Sequence, residues 1–283
     1  INGSGESADT HENVPKDVFA EGENKYDMHV LKVFEDGDIV ILGKDTDAAF
    51  YALATLEQMF AQSESGTLKV STFEDYAFQK YRGAVEGYYG YPWSVEGTLD
   101  WMEFAKRYKM NMFLYGPKSD PYHLGKWDEE YPDEVSEEDS KNGVRTKDEM
   151  RQYAEAAAAS KVSFVWVAHP AMQKPIDFTN EETIEEGLVR LMDKFSHMYD
   201  LGVRQFGIFV DDISESVAAQ TADMQVYMLN EIQNRLYEKY NGEGQSPEDQ
   251  VKGLFFTPAW YTTGSSYGAS CLPKFKAVHE DVE

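Results

Sequence analysis

Cysteine is almost absent. Cys271 is the one cysteine in 283 residues, which excludes an internal disulfide framework; its expected place is that of a small, half-buried residue. Basic residues are scarce as well. Lys and Arg number 26 against 51 Asp and Glu, a formal net charge of −25. A field of that sign repels polyanions, which argues against nucleic acid as a partner, since its binding is dominated by cation–phosphate contacts. An anionic polysaccharide is disfavoured for the same reason. Long apolar runs are missing too: none reaches the roughly 18 residues that a membrane span needs. The opening I-N-G-S-G-E-S-A-D-T has neither the basic nor the apolar region of a signal peptide, and no initiator Met, so the true N-terminus is expected upstream. One cysteine fits the cytosol and equally a bacterial secreted protein. What is present supports a packed core rather than disorder, with hydrophobic residues at 42%.

Two composition regimes meet near residue 78, which predicts a small α/β domain over 1–78 and a second domain over 79–283. In the first, Met28 to Phe34 and Ile39 to Leu42 read as strands joined by the turn Glu35-Asp36-Gly37-Asp38, a hairpin. A helix follows, capped by Asp45 or Thr46, with Phe50, Leu53, Leu56, Met59 and Phe60 on one face. Thr67 to Phe73 reads as a further strand, and the first 25 or so residues as irregular.

Beyond the seam, strand, loop and helix alternate. Strands are expected at Arg82–Glu86, Met110–Tyr115, Val162–Val167, Val203–Val210 and Leu254–Thr257. Between them lie helices opening after Ser94, at the capping box Thr146-Lys147-Asp148-Glu149, at Thr179-Asn180-Glu181-Glu182 with the same spacing, and at about Ser216 to Tyr240. Gly202 stops the third of these. The acidic stretch Asp128 to Asp139 is expected to be a solvated loop. Such alternation implies parallel strands with right-handed crossovers. A doubly wound sheet and a (β/α)8 barrel both fit. The doubly wound fold wants a glycine-rich phosphate loop after its first strand, and Gly83, Gly87 and Gly90 do not match G-x-G-x-x-G. The barrel is therefore expected, with five of its eight strands inside the chain and the rest beyond its C-terminal end.

In such a barrel the active face lies at the C-terminal strand ends. There the sequence places Glu86 to Tyr89, then Lys118, Asp120 and His123, then His169, then Asp211-Asp212, then Trp260 and Tyr261. Carboxylates, a lysine and aromatic faces on one rim make up a carbohydrate site. Two crowded carboxylates repel, so one is expected to titrate high and act as an acid while the other stays ionised. Retaining glycosidases with a carboxylate nucleophile hold the two groups about 5 Å apart across the scissile bond. Adjacent residues can hardly straddle it so. They suit substrate-assisted cleavage, in which the substrate's own acetamide oxygen is the nucleophile. Three other readings stay open for the pair: a solvated turn, an N-cap by Asp212 for the next helix, and a divalent-metal site. No H-E-x-x-H motif is present, and the six histidines are scattered.

Three stretches, R-G-A-V-E-G-Y-Y-G-Y-P-W, N-M-F-L-Y-G-P-K-S-D-P-Y-H and F-G-I-F-V-D-D-I-S, in that order and spacing, resemble glycoside hydrolase family 84. K-D-T-D-A-A-F-Y-A-L-A-T-L resembles the α/β domain before the barrel in its bacterial members. The likeness runs from about Tyr26 to Tyr261 and is nearer the clostridial-type enzymes than the animal ones. It implies an α/β fold: a TIM-type (β/α)8 barrel, incomplete at the C-terminal end of this chain, preceded by a small α/β domain. It implies a retaining exo-β-N-acetylglucosaminidase that needs neither metal nor other cofactor and acts on glycans or glycoproteins bearing N-acetylglucosamine. The setting implied is extracellular or the bacterial cell surface.

Carried over by position, Asp211 orients the acetamide and Asp212 is the general acid and base. Gly87, through its carbonyl, and Lys118 grip the sugar hydroxyls, and Tyr261 contacts the acetamide region. The family often has Thr-Glu-Tyr where this chain has Ala259-Trp260-Tyr261. Its remaining sugar ligands would fall beyond Glu283. A hyaluronan-cleaving glycosidase and a truncated, non-catalytic carbohydrate-binding or adhesion module are the alternative readings. Oligomeric state is not legible.

Overall fold

The computed structural model describes residue 19, residues 25–260 and residues 264–283. The irregular N-terminal segment expected before residue 25, and Tyr261, lie outside the described residues apart from Phe19 and Lys25. The chain divides into two compact units: residues 1–83 with 101–112 and 160–162, and residues 84–100 with 113–159 and 163–283.

In the first unit, β1 (Tyr26–Val33) pairs antiparallel with β2 (Ile39–Gly43) and with β3 (Ser71–Ala77), giving the order β2-β1-β3. The D-G turn is where the sequence puts it, with Gly37 at a positive φ of 97° that a side chain would resist. β3 starts four residues later than expected. Helix α1 (Thr46–Ala61) is capped by Asp45, whose carboxylate accepts from the Ala48 N–H at 2.8 Å. The apolar stripe is not its buried face. Ala48, Ala49, Tyr51, Ala52 and Ala54 are buried, whereas Leu53 and Phe60 are exposed. Small side chains let the helix backbone approach β1 and β2 closely, and that selects the alanine face over the bulky one.

The second unit holds a five-stranded sheet: β4 (Gly83–Glu86), β5 (Met112–Tyr115), β6 (Ser163–Ala168), β7 (Gln205–Phe209) and β8 (Phe255–Thr257), in the order β4-β5-β6-β7-β8. β6 and β7 run parallel, as do β7 and β8. Between β4 and β5 the Asn111 N–H donates to the Arg82 carbonyl and the Gly116 N–H to that of Glu86, stepping the same way along both strands. Each strand neighbours the next in sequence, with no reversal. A doubly wound sheet reverses its order at a switch point; a barrel adds strands in sequence. The fold is thus α/β with a parallel sheet curled as a half-barrel, consistent with part of a TIM-type barrel. β6 and β7 are almost wholly buried and apolar, as parallel strands covered on both faces must be.

The helices beyond residue 83 are α2 (Val95–Arg107), whose residues the division above splits between the units, then α3 (Glu137–Lys141), α4 (Lys147–Ala159), α5 (Glu181–Asp200), α6 (Glu215–Tyr240) and α7 (Ser266–Cys271), followed by a 3-10 turn over Leu272–Ala277. The Thr146 capping box forms, with Thr146 and Glu149 bonding to each other's backbone N–H. The next box forms one residue later than the sequence suggests. Asn180, not Thr179, is the N-cap, and Thr183 closes the box. Gly202, at φ 100°, ends α5 as expected. Cys271 is fully rather than half buried, against Ala218, Ala222 and Trp260.

The acidic stretch is not a plain solvated loop. Asp128 forms ion pairs with Lys174 at 2.7 Å and Arg190 at 3.0 Å, Trp127 and Tyr131 are buried, and α3 begins within the last residues of the stretch. Burial of Trp127 and Tyr131 pulls the backbone inward and carries Asp128 to its cations.

Candidate active site

Because the strands are parallel, their C-terminal ends share one side of the sheet, and the groups that follow them meet there. Asp211, two residues beyond β7, has its carboxylate 3.1 and 3.2 Å from the Lys118 ammonium, which follows β5. His169, immediately after β6, brings Nε2 to 3.1 Å from Asp211 Oδ1 and 2.9 Å from the Asp211 carbonyl oxygen. The side chains of Lys118 and His169 are 0% exposed and that of Asp211 is 15% exposed. Burial alone would raise the Asp211 pKa. The His169 hydrogen bond and the Lys118 charge outweigh it and hold the carboxyl below its usual value. The sequence argument expected repulsion between the two aspartates to raise one of them. Asp211 is the one that stays ionised, the state the same argument expected of the other member, because a cation and an N–H donor face it.

Asp212 stands apart. It is exposed, and its φ of 56° puts it in the left-handed region, a conformation that costs an ordinary L-residue about 1–2 kcal/mol and that Asp tolerates better than most. The two neighbouring side chains thus sit in different environments, one enclosed and one exposed. Helix α6 takes Ser214 as its N-cap, without a side-chain cap bond, so the N-cap reading of Asp212 does not hold. The Tyr89 phenol, 62% exposed, titrates above its usual range through partial burial and then a hydrogen bond to Asp212.

A cavity of about 360 Å³ opens beside the pair, lined by Val85, Gly87, Tyr88, Phe209, Asp211 and Thr257. That volume falls within the range of small-molecule sites. At Gly87 a β-carbon would stand 3.2 Å from the Val85 side chain and 3.5 Å from that of Phe209, so the cavity wall is closely approached there. The Lys118 ammonium lies 5.5 Å from the centre of the Phe209 ring, so that ring walls both the cavity and the cation. Of the residues proposed from sequence, Gly87, Lys118 and Asp211 come together, Asp212 adjoins them, and Tyr261 lies outside the described residues.

Several neighbours serve differently from what their position suggested. Glu86 is 1% exposed, and its carboxylate accepts the Trp93 N–H at 2.8 Å, closing the aromatic loop; burial raises its pKa despite that bond. Asp120 is buried, not on the rim. It accepts from Tyr115 Oη at 2.9 Å, Tyr131 Oη at 2.7 Å and the Tyr122 N–H at 2.8 Å, and burial raises its pKa in spite of three donors. The Lys118 loop is thereby anchored from below. His123 is buried as well, its pKa pushed down to about 3 by burial, and its Nδ1 donates to the Val167 carbonyl at 2.8 Å. The contacts of Glu86, Asp120 and His169 were missed in the sequence. The signal for them was a polar residue placed at or soon after the C-terminal end of a strand. Among the described residues no group of three or more His, Cys, Asp or Glu side chains is arranged to hold a metal ion.

Residues 82–277 match the pattern of the family described as NAGidase, beta-N-acetylglucosaminidase. Protein O-GlcNAcase of Rattus norvegicus is 28% identical over 196 residues, covering 68% of this chain and 18% of the relative. Among solved structures, that of CpGH84D aligns with a TM-score of 0.80 at 31% identity, covering 100% of this chain and 44% of that one. CpGH84B gives 0.68 at 30% identity, with 97% and 45% covered. The chain therefore spans under half of either solved chain and under a fifth of the curated relative.

Proposed function

The chain belongs to the β-N-acetylglucosaminidase family, glycoside hydrolase family 84, and from that premise we propose that it forms the catalytic part of a retaining exo-β-N-acetylglucosaminidase working by substrate-assisted catalysis. The observation that carries the reading is the Asp211 carboxylate, held between Lys118 and His169 at the wall of the cavity that Gly87 also lines. A carboxylate kept ionised there accepts the acetamide N–H of a bound N-acetylglucosamine and raises electron density on the acetamide oxygen. That oxygen attacks the anomeric carbon as the glycosidic C–O bond breaks, and Asp212 donates its proton to the departing oxygen. The resulting oxazolinium ion, whose N–H stays hydrogen-bonded to the Asp211 carboxylate, is opened by water, whose proton returns to Asp212. Two inversions restore the configuration. Asp211 must hold its position and charge while Asp212 must exchange protons with solvent, and one is enclosed while the other is open. Gly87, through its carbonyl, and Lys118 are the proposed grips on the sugar hydroxyls, and Tyr261 is the proposed contact to the acetamide region.

The natural substrate in this reading is a terminal, neutral N-acetylglucosamine on a glycan or glycoprotein. Hyaluronan is a polyanion and the chain carries −25, so turnover of hyaluronan oligosaccharides is expected to be slower; equal rates measured side by side would remove the charge argument. An extracellular or cell-surface setting and a separate domain over residues 1–78 belong to the same proposal. The test is release of 4-nitrophenol from its β-N-acetylglucosaminide by the complete protein, with and without EDTA. The expected result is release that EDTA does not change. No release, or release that EDTA abolishes, would contradict it.

A further inference from the structure

The Asp211 carbonyl belongs to the peptide that joins Asp211 to Asp212. His169 Nε2 lies 2.9 Å from that carbonyl oxygen and 3.1 Å from Oδ1 of the same residue. A backbone carbonyl only accepts, so Nε2 carries the proton and its one N–H is shared between main chain and side chain. We infer that His169 is a positioning residue that sets both acids at once, fixing the Asp211 carboxylate and the tilt of the peptide from which Asp212 turns. The inference deepens the reading under Proposed function and rests on it.

Three features of the fold support the clamp. The β6–β7 register pairs Ala168 with Ile208, so the residue after β6 is carried to the end of β7 by rigid, buried sheet. The His169 side chain is wholly enclosed, and its main-chain N–H donates to the His123 carbonyl at 2.9 Å, which holds the ring's point of attachment. The His123 ring stands edge-on to it at 5.8 Å between centres and limits its swing. Asp212, for its part, adopts a left-handed conformation that its surroundings must enforce. Rotating the 211–212 peptide would both break the shared bond and release that turn. Lys118 faces the Asp211 carboxylate as a charge; among the described residues His169 is the one that meets both the carboxylate and the main-chain carbonyl.

The groups facing Asp211 are Lys118 from beyond β5, His169 from beyond β6, His123 behind it, and Tyr89 and Asp212 on the open side. Losing the His169 donor leaves Lys118 as the close counter-group among the described residues, so the carboxyl must titrate higher.

The experiment compares the complete protein with its His169→Leu and His169→Gln variants by the pH dependence of kcat/KM, using a 4-nitrophenyl and an alkyl N-acetylglucosaminide. His169→Leu is expected to move the acid limb up by about one unit and to lower kcat/KM on both substrates roughly tenfold or more. His169→Gln, which keeps an N–H donor at similar reach, is expected to restore the limb. An unmoved limb in His169→Leu, or no recovery in a folded His169→Gln, would overturn the clamp. A purely structural histidine would lower activity without displacing the limb. Should His169→Leu not fold, 15N spectra of histidine-labelled wild type decide the matter: a proton on Nε2 of His169 is expected, and a proton on Nδ1 alone overturns the inference. Failure of the unaltered protein to hydrolyse either glycoside would overturn the functional reading, whereas the tautomer tests the clamp separately.

Discussion

Asp211 and Asp212 are neighbours in sequence with opposite surroundings. Asp211 is paired with a buried cation and a buried imidazole; Asp212 is exposed at the start of a left-handed turn. Asp212→Asn keeps a side chain that tolerates that turn, so the fold is expected to survive. Cleavage of alkyl glycosides, which need a proton on the leaving oxygen, should fall about 10²–10⁴-fold, whereas 4-nitrophenyl glycosides should be far less affected at the bond-breaking step. Steady-state rates on the two substrate classes check this, and equal losses on both would remove the acid role. The pair stands out in the sequence as two carboxylates ending an apolar strand, a pattern that by itself leaves a turn, a cap, a metal site and catalysis open. The partners stand out less. His169 lies 42 residues before Asp211, and only the β6–β7 register brings them together. Asp120 read as a rim residue because its three donors, Tyr115, Tyr122 and Tyr131, are aromatic residues whose hydroxyl or amide roles carry no pattern.

At the scale of the element, local signals with short reach were read correctly and tertiary choices were not. The D-G turn and the Thr146 box depend on residues within three or four positions, and both form. The buried face of α1 depends on what covers it, and there close approach favoured alanines over the larger residues. Asn180 and Thr179 illustrate the margin between two good candidates. Thr179 bonds to Asp177, which leaves Asn180 free to cap Glu182 and Thr183. Asn180→Ala should therefore cost about 1 kcal/mol in urea unfolding and Thr179→Ala clearly less; the reverse order would place the cap one residue earlier.

Helix α5 also buries Lys194. Its ammonium bonds to the Glu129 carbonyl at 2.6 Å and lies over the rings of Tyr131, Trp166 and Tyr122, and burial lowers its pKa to about 7. The unfolded chain holds that proton to about pH 10. Between the two values the unfolded state binds more protons, so raising pH through this window favours the fold. Wild type should thus gain stability relative to Lys194→Met as pH rises from about 7 to about 10. A constant gap between them in denaturant titrations would mean that the lysine titrates normally.

At the scale of the whole molecule, strand order decides the architecture. Five strands follow one another without reversal, which gathers the residues after β4, β5, β6, β7 and β8 on one side and makes the site a property of the sheet. Alternation in the sequence predicted parallel strands but left two architectures; the order separates them. The Glu283 backbone donates to the Leu254 carbonyl and accepts from the Phe256 N–H, so the last residue of the chain already pairs along the outer edge of β8. The proposal itself is chemical: we propose that the enclosed carboxylate serves a nucleophile that the substrate brings. Successive fluorination of the substrate's N-acetyl group withdraws electrons from the acetamide oxygen and leaves the glycosidic bond and the leaving group unaltered. The most direct measurement is kcat/KM of the complete protein on 4-nitrophenyl glucosaminides with zero to three fluorines on the acetyl methyl. A steep, progressive fall is predicted. A rate indifferent to fluorination would contradict the account and return the nucleophile to the protein or to water.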